Sequence, residues 1–301
     1  MELTFYLNGD FVKASEAKFS IYDHGFLYGD GLFETIRVYQ NKIFQFDRHL
    51  DRLFAGLKKL EIKEPQDRDS IHKVTKMLLN INGLDDSVVR ITVTRGEGDF
   101  GLAKSLCPNP SLLITVSPVK QHSEDLYKLG IDCMVVSIRK PPIQSIPSDI
   151  KSLNMLNSIL AKEEALKNKC FEGVMLNIEG YVTEGATSNL FCLSNGRLIT
   201  PDLSCGVLAG ITREVVMNLA KSIGLDIFEG FLTPQELYSA TECFLTSTLM
   251  EIMPVVSCDG KRIGKGVPGE ITKELQRKFK NLIKRQIAEE DTELTKILTE
   301  R

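Results

Sequence analysis

The sequence contains no apolar run near the roughly 20 residues needed to cross a bilayer. Its first residues, MELTFYLNGDF, carry neither the basic segment nor the apolar stretch of a signal peptide. A soluble, unexported protein is expected. Positive charge is not in excess: 37 Lys and Arg stand against 40 Asp and Glu, for a formal net charge of -3. Such a chain has no global field to hold nucleic acid or an anionic membrane surface, so a small-molecule partner is expected. Cys-x-x-Cys pairs are also missing; the seven cysteines are scattered singly, a pattern of reduced thiols that places the protein in the cytoplasm. The four histidines, His24, His49, His72 and His122, show no ligand spacing, and no metal site is expected.

What is present suffices for a sizeable core. At 301 residues and 43% hydrophobic content the chain has room for two domains and is not a disordered tail. LTFYLNGDFV carries an Asn-Gly turn between apolar stretches and predicts a hairpin, and LFETIRVYQNKIFQF predicts a second. Leu50, Leu53, Phe54, Leu57 and Leu60 then recur at helical steps after Asp47, an acidic N-cap candidate. Ile71, Val74, Met77, Leu78 and Ile81 repeat the design before Asn82-Gly83 ends it. SVVRITVT and SLLITVS return to strand, which completes an α+β domain over 1–118. Residues 119–129 are polar and read as a linker or a short exposed helix, 130–285 as a larger domain richer in strand, and 286–301 as a charged tail on a solvated helix that begins near Glu270.

GEGDFG, Gly96 to Gly101, matches the dinucleotide-binding glycine pattern but fails in context. No helix follows it and there is no repeated β-α-β order, so it is a glycine loop between two strands. Lys151 is a stronger lead. It stands between the proline-rich loop RKPPIQSIPSD and a helix predicted over 152–168, a stable platform of the kind a Schiff-base lysine needs. Glu184 follows a strand at a glycine turn, where a carboxylate has no local use. Gly210, Ile211 and Thr212 open a helix whose free N–H groups suit a phosphate. ECFLTSTLMEIMPVV reads as a buried strand with a loop after it, and Thr246, Ser247 and Thr248 within FLTSTLMEI supply hydroxyls. Arg48 lies in a first helical turn, where a cation is disfavoured unless an anion holds it.

In order along the chain, DHGFLYGDGLFETIR, DRHLDRL, VTRGEGDFGL, IKSLNMLNSILAKEEA, VTEGATSNLF, LAGITRE and TSTLMEIMPV resemble the class IV, or fold type IV, pyridoxal-phosphate aminotransferases. That group holds the branched-chain amino acid aminotransferases, the D-amino acid aminotransferases and aminodeoxychorismate lyase. The resemblance covers roughly residues 3–275. It implies an α+β / α/β two-domain fold, a small α+β domain plus a larger strand-rich α/β domain, with pyridoxal 5'-phosphate in the cleft.

Lys151 corresponds to the lysine that holds this cofactor as an aldimine. Glu184 would meet the pyridine nitrogen. Arg48, Gly210, Ile211, Thr212 and Thr248 would hold the phosphate, and Phe33, Thr35, Arg37, Arg90, Met155 and Leu249 would form the substrate pocket. The implied reaction moves the amino group of an aliphatic, branched-chain L-amino acid to 2-oxoglutarate. The implied assembly is a homodimer or larger, and the GEGDFG loop is a candidate to cross between subunits. Three alternatives stay open: the lyase, a D-amino acid transaminase, and a pocket that stores the cofactor without catalysis. Two residues depart from the branched-chain pattern, since many such enzymes have tyrosine at the Met155 position and glycine at the Thr35 position. RGEGDFGLAK in turn lacks the Arg-x-His carboxylate trap of the D-specific enzymes.

Overall fold

A computed structural model describes residues 2–299, with the backbone alone from 290; the last residues of the expected charged tail lie outside that range. Contacts divide the chain into two units. The first holds the N-terminal residues to Lys120, the segment Ile150–Asn154 and the residues from Ile283 onward; the second holds Gln121–Asp149 and Met155–Leu282. The sequence reading places 150–154 in the larger domain. They group with the first unit because Leu32 and Ser152 form a β-bridge and Leu153 N donates to Gly31 O at 3.0 Å.

The first unit is built on strands β1 (Thr4–Leu7), β2 (Asp10–Lys13), β3 (Gly31–Tyr39), β4 (Lys42–Ile43), β5 (Ser87–Thr94) and β6 (Ser111–Pro118). They form one antiparallel sheet ordered β2-β1-β6-β5-β3-β4. Both predicted hairpins are present, the first turning on Asn8 and Gly9 at positive φ. Burial alternates along β5, as it must when one face meets a core and the other does not. Ile36, Val38, Val89, Ile91, Ile114 and Val116 form the buried face.

Helices α1 (His24–Tyr28), α2 (Phe46–Leu60) and α3 (Arg68–Asn82) complete this unit. α2 buries Leu50, Leu53 and Leu57 against β3, and α3 buries Ile71 and Leu78. The expected α3 stripe is narrower than its spacing implied, because Met77 and Ile81 point to solvent. Asp47 is not an N-cap: Gln45 holds that place without a side-chain bond, and Asp47 lies inside the first turn. The GEGDFG segment joins β5 to β6, as the glycine-loop reading required.

The second unit contains α4 (Glu124–Leu129), β7 (Ile131–Arg139), α5 (Leu156–Lys167), β8 (Glu172–Leu176), β9 (Val182–Gly185), β10 (Asn189–Ser194) and β11 (Arg197–Pro201). α6 (Ile211–Ser222), β12 (Asp226–Gly230), α7 (Pro234–Ser239), β13 (Glu242–Ser247), β14 (Glu251–Cys258), β15 (Lys261–Arg262) and α8 (Glu270–Thr299) follow. The mixed sheet is ordered β12-β11-β10-β13-β14-β7-β8-β9, with β15 paired to β14. β8 is buried at every residue, as expected of a strand covered on both faces. At Gly173 a Cβ would meet Ala161 O at 2.6 Å, so α5 packs on β8 through a glycine.

The polar stretch 119–129 holds the short helix α4. Three expectations change here. The helix after Lys151 begins at Leu156 instead of 152, because 151–153 run extended beside β3. ECFLTSTLMEIMPVV is a two-strand hairpin. α8 is more than a solvated helix: Leu275, Phe279 and Ile283 are buried at four-residue steps, and Glu242 caps its start by accepting Ile271 N at 3.1 Å and Thr272 N at 2.8 Å. Among the described residues no helix is long and apolar enough to cross a membrane.

The contrast between buried and exposed helix faces is measurable. Leu53→Ala, at 1% exposure, should cost about 2–5 kcal/mol in urea unfolding. Met77→Ala, at 41% exposure, should cost roughly 0.5 kcal/mol or less.

Candidate active site

In the second unit the last turnward residues of β9 include Glu184, with its side chain buried. Oε2 accepts Leu208 N at 2.9 Å and Asn189 Nδ2 at 3.1 Å, while Oε1 is paired with Lys140 Nζ. A carboxylate with these donors is held in one orientation. Asn189 also donates to Leu208 O at 2.9 Å. Its Oδ1 lies 2.0 Å from where a Cβ on Gly210 would stand, so Asn189 spans from the carboxylate to the start of α6.

Gly210 is the N-cap of α6 and makes no side-chain cap bond. The first N–H groups of this 12-residue helix, at Ile211 and Thr212, therefore have no intrahelical acceptor, and they carry the positive end of the helix dipole. Thr246, the register partner of Asn189, is 1% exposed and its Oγ1 has no hydrogen-bond partner. Ser188 Oγ is likewise buried without a partner. A buried hydroxyl left this way is costly unless a ligand satisfies it. A fixed carboxylate and an uncapped helix start, bridged by one amide, fit a group that is cationic at one end and anionic at the other. Thr248 and Leu249 occupy the turn from β13 to β14, half-buried and exposed respectively, and Met155 is the N-cap of α5.

The first unit groups a different set. Lys151 O accepts Phe33 N at 3.0 Å, and its Nζ lies 4.8 Å from the centroid of the Phe33 ring. The Arg90 guanidinium carbon is 3.8 Å from the same centroid. Arg90 is also the register partner of Thr35, so Phe33, Thr35, Arg90 and Lys151 share one neighbourhood. Arg37 lies further along β3. Its guanidinium donates to Ser87 O and Asp86 Oδ1, each at 3.1 Å, and to Val38 O, and it stacks on Tyr39. These bonds give it a structural role at the far end of β3.

Sequence reasoning passed over a buried trio on the other face of β3. Glu34 Oε2 meets His49 Nδ1 at 2.7 Å, and Arg52 grips both Glu34 oxygens, Nε to Oε1 at 2.7 Å and Nη2 to Oε2 at 2.8 Å. Arg52 lies one turn beyond Arg48 on α2, and its guanidinium is the one held in a bidentate pair with Glu34. The available signal was the repeated cation in DRHLDRL. Burial would raise the Glu34 carboxyl, but hydrogen bonds from Arg52 and His49, and their charges, bring it down to about 2. Burial lowers His49 from its ordinary value, with Arg52 and Lys151 adding to the effect against the pull of Glu34.

The amino-transferase class IV family matches residues 31–258. A relative in Methanocaldococcus jannaschii, provisionally named a branched-chain-amino-acid aminotransferase, is 42% identical over 92% of this chain and 95% of its own. Aminodeoxychorismate lyase of Bacillus subtilis is 34% identical over 94% and 96%. The crystal structure of the Escherichia coli branched-chain amino acid aminotransferase superposes with a TM-score of 0.90 at 31% identity, covering 94% of this chain and 95% of that one. The branched-chain amino acid aminotransferase of T.th., crystallised with pyridoxamine 5'-phosphate, gives a TM-score of 0.89 at 29% identity, covering 93% of each chain.

The trio predicts an acid limb in stability. In the unfolded chain Glu34 titrates near 4.5, against about 2 in the fold, so its ionised form stabilises the fold above the unfolded value and is lost as pH falls between the two. That loss is worth about 3 kcal/mol. His49, lowered in the fold, adds to it with the same sign below its ordinary range. Urea midpoints measured from pH about 6 to about 2 should fall accordingly. Glu34→Gln should be less stable near neutrality by about 3–5 kcal/mol and show a flatter acid slope; an unchanged slope would contradict the assignment.

Proposed function

The chain belongs to the class IV aminotransferases, and from that premise we propose that it transfers the amino group of a branched-chain L-amino acid to 2-oxoglutarate, using pyridoxal 5'-phosphate held by Lys151. The carrying observation is the Glu184–Asn189–Gly210 bridge, which holds a carboxylate and an uncapped helix start in a fixed relation. The orphaned hydroxyl of Thr246 supports the same fit. The named branched-chain relatives and the pyridoxamine 5'-phosphate in a structural neighbour support the substrate class and the cofactor.

The bound cofactor supplies an electron sink for the charge left when an amino acid loses its α-proton. Lys151 would hold the cofactor, and its Nζ, once freed by the incoming amino group, would move the proton at the substrate Cα. The Phe33 ring beneath that amine limits its range. Glu184 would accept a hydrogen bond from the ring N–H and so favour the cationic ring. The N–H groups of Ile211 and Thr212 bind the phosphate, Gly210 permits its approach, and the Thr248 hydroxyl donates to it. On α2, beside the Arg48 of the resemblance, Arg52, whose side chain the pair with Glu34 holds in place, would be the stronger partner of the phosphate. Arg90 serves the substrate carboxylate, with Thr35 and Phe33 beside it. The resemblance also assigns Met155 and Leu249 to the substrate; a methionine side chain would offer it no hydrogen-bond donor.

A homodimer or larger assembly in the cytoplasm belongs to the same reading. α5 leaves Leu156, Ile159, Leu160 and Leu166 exposed, and α1 with the GEGDFG loop leaves Phe26, Phe100 and Leu102 exposed. Apolar groups gathered this way favour a second copy.

Single-turnover absorbance with a panel of amino acids tests the reaction. L-Leucine, L-isoleucine or L-valine should convert the yellow cofactor to its amine form, and D-alanine should not. Pyruvate released from aminodeoxychorismate without a keto acid would identify a lyase instead. Arg52→Met should weaken cofactor affinity by about tenfold or more, the loss of one charge-assisted contact, and by more than Arg48→Met does in the same equilibrium dialysis.

A further inference from the structure

Lys140 stands just beyond β7. Its N donates to Leu176 O at 2.9 Å and prolongs the pairing of β7 with β8. Its stem passes Gly206, with Cγ 3.5 Å from where a Cβ there would lie. The backbone thus delivers its ammonium to Glu184, and the pair is largely buried, with side-chain exposures of 19% and 9%. Screening by salt is weak at such a site.

An ionised carboxylate has about two acceptor positions on each oxygen. Glu184 Oε2 has filled both of its own with Leu208 N and Asn189 Nδ2. Oε1 has one donor, Lys140 Nζ, and one position left. A ring N–H brought to Glu184 must use Oε1, the oxygen that already bears the ammonium. Two cations then share one oxygen, and each weakens its hold on the other.

We propose that Lys140 is a positioning residue for the transaminase: Leu208 N and Asn189 leave Oε1 to the ring N–H, and Lys140, bonded to that same oxygen, moderates its grip on the ring proton. This rests on Glu184 being the partner of the ring nitrogen. The moderation has a use. A carboxylate without this counter-charge would hold the ring proton more tightly and would draw a second cation, so Lys140 neutralises the site before the cofactor enters it.

The test reads the cofactor itself. Wild type, Lys140→Met, Lys140→Arg and Glu184→Gln are reconstituted with cofactor labelled with ¹⁵N in the ring, and the ring-nitrogen resonance is recorded at one pH near neutrality, with urea midpoints as a check on folding. Lys140→Met should shift the resonance toward that of a fully protonated pyridinium, Lys140→Arg should leave it at the wild-type position, and Glu184→Gln should move it the opposite way. A Lys140→Met resonance at the wild-type position, with Glu184→Gln displaced, overturns the role of Lys140 and leaves the reading of Glu184 intact. An unmoved Glu184→Gln overturns both. Should Lys140→Met not fold, Lys140→Gln carries the same comparison.

Discussion

One amide side chain sets the geometry on which the second unit's chemistry depends. Asn189 points its Nδ2 at Glu184 and at Leu208 O, and its Oδ1 occupies the space a side chain on residue 210 would need. A negative group and the positive end of a helix dipole are thereby fixed in relation to each other before any ligand arrives. Pre-set groups of this kind lose no reorganisation energy when charge develops beside them, which is why fixed dipoles outperform mobile ones in catalytic sites. Asn189 itself is held because it is the first residue of β10, paired across the sheet with Thr246. The sheet's register is thus what places the chemistry.

The first unit follows the same logic with different groups. Glu34 lies on the face of β3 that looks toward α2, where a lone carboxylate would be strongly destabilising. Arg52 and His49 satisfy it from successive turns of that helix. The preceding residue, Phe33, faces the other way and carries Lys151 and Arg90 over its ring. Alternation along a strand therefore puts the Glu34 ion cluster and the Lys151 amine back to back. The segment bearing Lys151 owes its place to the bridge between Leu32 and Ser152.

Much of this was legible in the sequence where local rules act alone. The hairpin at Asn8-Gly9 and the stop of α3 at Gly83 need only their own neighbours. Lys151, Glu184 and the α6 start were singled out because each residue type sat where its local surroundings had no use for it. Tertiary pairing was not legible. The run 151–153 is extended because it finds β3, which no local signal announces, and Arg37 is committed to Ser87 and Asp86 across 50 and 49 residues. Lys140 and Arg52 bond to partners 44 and 18 residues away, and Asn189, five residues from Glu184, also reaches Leu208 19 residues on, so spacing carried little trace of these contacts.

The proposed chemistry stands on the covalent attachment of the cofactor to one amine. Borohydride reduction of the holoprotein, followed by proteolysis and mass spectrometry, reads that attachment directly. A phosphopyridoxyl mass is expected on the peptide that carries Lys151, and its absence is expected in Lys151→Ala. A label on another lysine, such as Lys140, or on none, would refute the assignment.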